Sequence, residues 1–103
     1  MDYQLVLQFA CHSEEDFDSV IETEEQVASV LGGSATIDGH DSGSGQANIF
    51  ILTSSPLIAF SQVKKLLESK GLLQSSFKAA YRLVQGNQYT VIWPESSGEF
   101  IVI

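Results

Sequence analysis

The chain has 103 residues, 44% of them hydrophobic and 10% aromatic, and a formal net charge of -8. This composition is typical of one soluble globular domain, residues 1–103, with a single core. No apolar run approaches the roughly 18 residues of a membrane span, and five basic residues are too few for a nucleic-acid-binding surface.

The charges are unevenly distributed along the chain. Residues 1–50 contain ten acidic side chains and no Lys or Arg, whereas residues 51–103 contain five basic and three acidic ones. This polarity favours a basic protein partner, or the second half of a neighbouring copy of the chain. An acidic helix face that merely keeps a small protein soluble would give the same pattern.

The start of the chain and its cysteine content predict a cytoplasmic protein. The sequence begins with a strand pattern and has no basic or apolar leader segment. Its one cysteine, Cys11, cannot form an internal disulfide and is expected to act as a small buried hydrophobic residue.

The first part of the chain predicts a strand followed by a helix. Residues 3–9 alternate with the period of a strand. Ser13 is a predicted helix cap, with Asp16 reaching back toward it, and apolar residues at helical spacing continue to about Leu31. Gly32 and the glycine after it end this first helix.

The rest of the chain predicts two hairpins around a second helix. Residues 34–38 and 47–53 form the first hairpin, with a glycine-rich loop over 38–45. Ser55 caps the second helix, which ends at Gly71. Its predicted inner face consists of Leu57, Phe60, Val63, Leu66 and Leu67. Strands over 77–84 and 89–93 follow, and the apolar tail 100–103 is expected to pair at a sheet edge or with another subunit.

This order of elements predicts an α+β domain with a ferredoxin-like βαββαβ arrangement and an added C-terminal strand. Two helices cover one face of an antiparallel sheet, and right-handed connections place strands one and three in its middle. The other face is expected to meet water or a partner, so it is a candidate surface for dimerisation.

Glu24 interrupts the apolar face of the first helix. It lies seven residues after Phe17, which at 3.6 residues per turn is a rotation of roughly 20°. A mostly buried carboxylate needs a hydrogen-bonding partner, and the polar stretch 38–45 is the leading candidate. The carboxylate could instead bind backbone amides there, or reach the edge of the face by a small rotation.

The stretch 38–45 concentrates the chemistry of the chain. Asp38, His40 and Asp41 could bind a metal, or His40 could act as a general base oriented by a carboxylate. Strand alternation, however, places Asp38 and His40 on one side and Asp41 on the other. Ser44 has no partner at the spacing of a nucleophile, and its glycine-rich segment opens no helix that would hold phosphate. We therefore predict no catalytic residue, metal or cofactor.

Three segments carry a resemblance to a known family. Asp38-Gly39-His40-Asp41-x-Gly43-Ser44-Gly45-x-x-Asn48-Ile49-Phe50, then Ala80-Tyr81-Arg82, then Tyr89-Thr90-Val91-Ile92-Trp93-Pro94 resemble a family of small bacterial proteins of uncharacterised function. The likeness covers nearly the whole chain from the first helix onward. It implies a bacterial cytoplasmic origin and supplies no catalytic residues.

Two hypotheses for the function follow. The first is a non-enzymatic interaction module, whose acidic first helix binds a basic partner or whose open sheet face forms a homodimer. The second is a small-molecule or enzymatic site built from Glu24, His40, Asp41 and Asn48. The candidate ligand-binding or partner-binding residues are Glu24, Asp38, His40, Asp41, Ser44, Asn48 and Arg82.

Overall fold

The computed structural model of the chain describes residues 2–73, 76–94, 100 and 102. Its elements follow the predicted order of strands and helices: β1 Tyr3–Ala10, α1 Glu14–Leu31, β2 Thr36–Gly43, β3 Gln46–Thr53, α2 Pro56–Ser69, β4 Lys78–Leu83 and β5 Thr90–Trp93. A single 3-10 turn, Gly32–Ser34, connects α1 to β2.

The strands form one antiparallel sheet in the order β2-β3-β1-β4-β5. β1 is the central strand, and the hairpin of β4 and β5 lies at one edge. The prediction of an α+β domain with an antiparallel sheet and two helices is confirmed. Neither α1 nor α2 is long and apolar enough to span a lipid bilayer, taking the described residues alone.

The core lies between the two helices and one face of the sheet. Alternate residues of the central strands point toward the helices, and they pack with the buried stripes of α1 and α2 in one cluster. Full burial of such a side chain contributes about 1.5–3 kcal/mol. The largest fully buried apolar members are Leu5, Leu7, Ile49, Ile51, Leu67, Val27 and Val63.

The opposite sheet face is not the open apolar surface that was expected for dimerisation. Val6 and Ala80 at its centre are both 0% exposed. Gln8 and Asn48, which are neighbours across β1 and β3, are also buried there. The centre of this face is therefore closed within a single chain, and it holds amides as well as apolar side chains.

The hairpin of β2 and β3 differs from its predicted boundaries. Residues 38–43 belong to β2 and are not a loop, because their backbone pairs with β3 as far as Gly43 opposite Gln46. The turn contains just Ser44 and Gly45, with φ angles of 52° and 81°. Left-handed angles at both positions are the requirement of a two-residue type I′ turn, which suits the twist of the paired strands.

A β-bulge at Asp38 divides β2 into two parts. Ile37 pairs with Ile51, whereas Gly39 pairs with Phe50, so Asp38 is the extra residue. Gly39 has a φ of 107°, a conformation that other residues rarely adopt. The alternation that would place Asp38 beside His40 is interrupted here.

The helix ends agree with the sequence at α1 and differ from it at α2. The Asp16 amide donates to the Ser13 hydroxyl oxygen, at 3.0 Å, and the Asp16 carboxylate accepts from the His12 amide, at 2.9 Å. Ser55 precedes Pro56 as predicted, but its side chain makes no capping hydrogen bond. Instead, the Ser55 amide donates to the Thr53 hydroxyl oxygen, at 3.1 Å.

Leu57 was predicted on the inner face of α2 and is 59% exposed. At 3.6 residues per turn it lies about 100° from the centre of the buried stripe. That stripe consists of Pro56, Ala59, Phe60, Val63 and Leu67.

The prediction for the tail 100–103 falls partly on Ile101 and Ile103, which are outside the described residues. Phe100 and Val102 are not in a strand. The ring of Phe100 lies 5.1 Å from that of Tyr89.

Candidate functional site

The surface of α1 is divided into four sides by its contacts. Its buried residues, Val20, Thr23, Val27 and Leu31, form one stripe that faces the sheet. At about 100° per residue, one flank carries Glu24 toward β2 and the other carries Gln26 toward α2. The fourth side, opposite the buried stripe, faces solvent.

That fourth side is acidic along most of the helix. Five exposed acids fall within an arc of about 100° centred opposite the buried stripe. We call this surface the acidic face. Its residues are Glu14, Glu15, Asp18, Glu22 and Glu25.

One residue of the acidic face has a basic partner. Lys70 at the end of α2 places its Nζ 3.8 Å from a Glu22 carboxylate oxygen, and it also donates to Gln26 Oε1, at 2.6 Å. Among the described residues, the other ion pair joins Glu24 to His40. The remaining four carboxylates of the acidic face therefore carry their charge into solvent.

Glu24 contacts His40 of β2, within the stretch that was predicted to hold its partner. The His40 Nδ1 lies 3.0 Å from Glu24 Oε2 and 3.2 Å from Oε1. Because a carboxylate can only accept, Nδ1 carries the hydrogen of this bond. The two side chains are 17% and 34% exposed, respectively.

Phe17 completes the contact between α1 and β2. Its ring centroid lies 5.7 Å from that of His40, with an edge-to-face interplanar angle of 64°. The imidazole therefore touches two residues of α1 that are separated by two helical turns. This arrangement fixes the ring and ties the edge strand β2 to the helix.

Asp41 and Asn48 lie on the opposite sheet face from the pair of Glu24 and His40. Asn48 Nδ2 donates to Asp41 Oδ1, at 2.8 Å, and Gln8 Nε2 donates to Asn48 Oδ1, at 3.1 Å. Gln8 Nε2 also donates to Gln46 Oε1, at 2.9 Å. The four residues proposed for a small-molecule site thus form two separate pairs divided by the sheet.

The other predicted site residues lie apart from both pairs. Asp38 is exposed at the bulge, and Ser44 is exposed at the hairpin turn. Arg82 is in β4, three strands away from β2. Its Nη1 donates to the carbonyl oxygens of Leu83, Val84 and Gly86, so its described role is to hold the turn after β4.

An open groove of about 600 Å³ lies between the turn of β2 and β3 and the start of α1. Ser44 is the one predicted site residue in its lining, which also includes Cys11, His12 and Asp18. Cys11 is half-buried, and its Sγ lies 4.0 Å from the Ser13 carbonyl oxygen. Across the described part of the chain, no three His, Cys, Asp or Glu residues are grouped to hold a metal ion.

Sequence reasoning missed Phe17, Gln8 and Gln46 as members of these two contact groups. Phe17 has the same helical phase as Glu24, and this spacing could have identified it. The amides could be found only from the register of β1 against β3, which pairs Gln8 with Asn48.

Comparison with known protein families, curated proteins and solved structures finds no match to this chain. A functional conclusion therefore has to be drawn from the surface and its contacts.

Proposed function

We propose that the protein is a non-enzymatic interaction module that binds a basic protein partner through the acidic face of α1. The observation that carries this proposal is the position of five exposed acids directly opposite the buried stripe of the helix, with a single basic side chain, Lys70, paired to them within the described residues. A surface of one sign attracts and orients a partner of the opposite sign.

The acidic face also has a cost in stability, which supports a role in binding. Asp18 lies four residues from both Glu14 and Glu22, and Glu22 lies three residues from Glu25. Like charges at these spacings each destabilise a helix by about 0.2–0.5 kcal/mol. Acids in the first turn complement the helix dipole, but Asp18, Glu22 and Glu25 lie beyond it.

The proposal of a non-enzymatic role is supported by the way the polar residues are used. His40 is held by Glu24 and Phe17, and Asp41 is held by Asn48 on the other side of the sheet. A catalytic arrangement requires a nucleophile, a base and an orienting group within reach of one another.

We extend the proposal to the fold family and origin of the chain. The order β2-β3-β1-β4 with both helices on one face supports a ferredoxin-like βαββαβ arrangement, with β5 as the added strand. The resemblance of residues 38–50 to the small bacterial family supports a bacterial cytoplasmic protein.

The test of the proposed function is a comparison of two charge-reversal variants. Asp18→Lys with Glu25→Lys changes the acidic face. Asp38→Lys with Glu68→Lys makes the same change in net charge at exposed positions of β2 and α2. Immobilised wild-type chain and both variants are used to capture proteins from a bacterial extract, and each captured basic protein is then purified and its Kd and association rate are measured.

The wild type and the control variant should bind the same basic protein, and the variant of the acidic face should lose this binding. The association rate should fall by at least about tenfold when salt is raised, because the attraction is electrostatic. Equal binding by the two variants would contradict the proposal.

A further inference from the structure

Exposed apolar side chains are concentrated at the end of the sheet where β1 begins. Five large hydrophobic residues are strongly exposed in the described chain, and four of them are at this end: Leu57, Ile58, Leu83 and Val84. They surround Tyr3 and Tyr81, whose rings meet edge-to-face with centroids 5.8 Å apart. We call these six residues the Tyr3 patch.

Three grooves meet at Tyr3. The first, of about 330 Å³, lies between the two tyrosines and the side chains of Leu57 and Ile58. The second and third, of about 380 and 340 Å³, run along Leu83 on either side. The patch thus has depressions beside protruding aliphatic side chains, which is the shape that a self-complementary surface needs.

We propose that the Tyr3 patch binds a second copy of this chain in a two-fold symmetric dimer. Contiguous apolar surface containing tyrosines is typical of protein–protein contacts. In a two-fold contact each copy presents the same surface, so the protruding Leu57, Ile58 and Leu83 of one copy enter the grooves of the other.

The charges at the patch favour a second copy as the occupant. Asp2 and Arg82 are neighbours of Tyr3 on β1 and β4, and each lines a groove of the patch. A surface with one acid and one base is complementary in charge to itself when it is rotated by a two-fold axis. Asp2 of each copy would then face Arg82 of the other.

The acidic face does not oppose this dimer. Its acids end at Glu25, and they begin at Glu14, which lies at the other end of the sheet, beside the turn at Gly45. Two copies joined at Tyr3 therefore keep most of the charge of α1 away from the contact. Repulsion between copies, which a net charge of -8 would otherwise cause, is smallest in this orientation.

The test is sedimentation equilibrium of the full chain over a wide range of protein concentrations. The wild type should form a reversible dimer. The double variant Leu57→Asp with Ile58→Asp should raise the dimer Kd by at least about tenfold, since central apolar side chains dominate such contacts. Both positions are in the first turn of α2, where acids complement the helix dipole, so the fold should be kept.

Val30→Asp is the matched control, because it removes the fifth exposed aliphatic side chain and adds the same charge outside the patch. Circular dichroism verifies folding of each variant. Asp2→Lys should also raise the Kd, and the increase should shrink at high salt. A dimer that survives the double variant unchanged would overturn the inference.

A wild-type chain that is monomeric at every concentration would equally overturn the second copy as the occupant. That result would leave the binding of a basic partner by α1 untouched. Conversely, the reversal of Asp18 and Glu25 should abolish partner binding without changing the dimer Kd.

Discussion

At the scale of single residues, the contact of His40 with Glu24 and Phe17 connects the edge strand to the first helix. The two helix residues are seven positions apart and bracket one imidazole. A hydrogen bond to a carboxylate, together with an edge-to-face ring contact, orients the imidazole without enclosing it. The arrangement suits a structural contact more than a site that must release its ligand.

A double-mutant cycle measures how strongly Glu24 and His40 interact. Glu24→Ala, His40→Ala and the combined variant are compared by urea unfolding. We expect a coupling free energy of roughly 0.5–1 kcal/mol, because both side chains are partly exposed and solvent weakens the pair.

The control cycle combines Glu22→Ala with His40→Ala. Glu22 is on the side of α1 that faces Lys70, so these two changes should be additive. Additivity of Glu24→Ala with His40→Ala would show that the contact contributes nothing to stability.

The position of Glu24 could be predicted from sequence because helical phase depends on residue number alone. Its partner in the stretch 38–45 could be predicted because a carboxylate there needs a donor nearby. The separation of His40 from Asp41 also followed from strand alternation. The pairing of Asp41 with Asn48 could not be predicted, since it depends on the register between two strands.

At the scale of elements, β2 differs most from expectation. Its glycines and polar residues resemble a loop, yet its backbone pairs with the apolar strand β3. Glycine is placed where the bulge and the turn need left-handed backbone, at Gly39 and Gly45. The residue types therefore reflect local geometry and edge exposure, which sequence reasoning interpreted as absence of a strand.

Ser44→Asn should stabilise the hairpin. Ser44 has a φ of 52°, and asparagine adopts this left-handed region of a type I′ turn more readily than serine. We expect a gain of roughly 0.5 kcal/mol in the free energy of unfolding, measured by thermal and urea denaturation.

Ser42→Asn is a suitable control, because Ser42 is exposed in the same strand but has no positive φ. Ser44→Val should be destabilising, since a β-branched side chain is strained at this backbone angle. Equal stability of the asparagine and valine variants would contradict this account of the turn.

The helices illustrate the limit of reading one element alone. The caps, glycine stops and apolar period located α1 and α2. The exposure of Leu57 was missed because an apolar residue near the edge of a helical stripe can lie on either side of it. Its position relative to Tyr3 and Tyr81 depends on the packing of three elements, which no single period contains.

At the scale of the whole molecule, charge and apolar surface are segregated. The acidic face covers α1 from its start near the hairpin turn, and the Tyr3 patch lies at the opposite end of the sheet. The acidic first half was evident from sequence, but its arrangement as a single stripe opposite the core required the helical phase. The two surfaces can therefore bind different partners at the same time.

Neutralising part of the acidic face should stabilise the fold and weaken its response to salt. In Asp18→Asn with Glu25→Gln, repulsion with Glu14 and Glu22 is relieved. We expect a gain of about 0.5–1 kcal/mol at low salt, which shrinks as salt screens the charges. Thermal unfolding over a series of NaCl concentrations measures both effects.

The control is Asp38→Asn with Glu68→Gln, which makes the same change in net charge at two separate positions. It should give a smaller gain and a salt dependence closer to that of the wild type. If the two variants respond alike, net charge rather than the stripe determines stability.

The bulge at Asp38 has a further consequence for how molecules of this chain behave when concentrated. β2 is an edge strand, and its outer backbone groups could template a strand from another molecule, as in fibril growth. The extra residue breaks the regular spacing of those groups, and the exposed Asp38 adds a charge at the same point. The apolar run of β3 is thereby shielded behind an edge that resists aggregation.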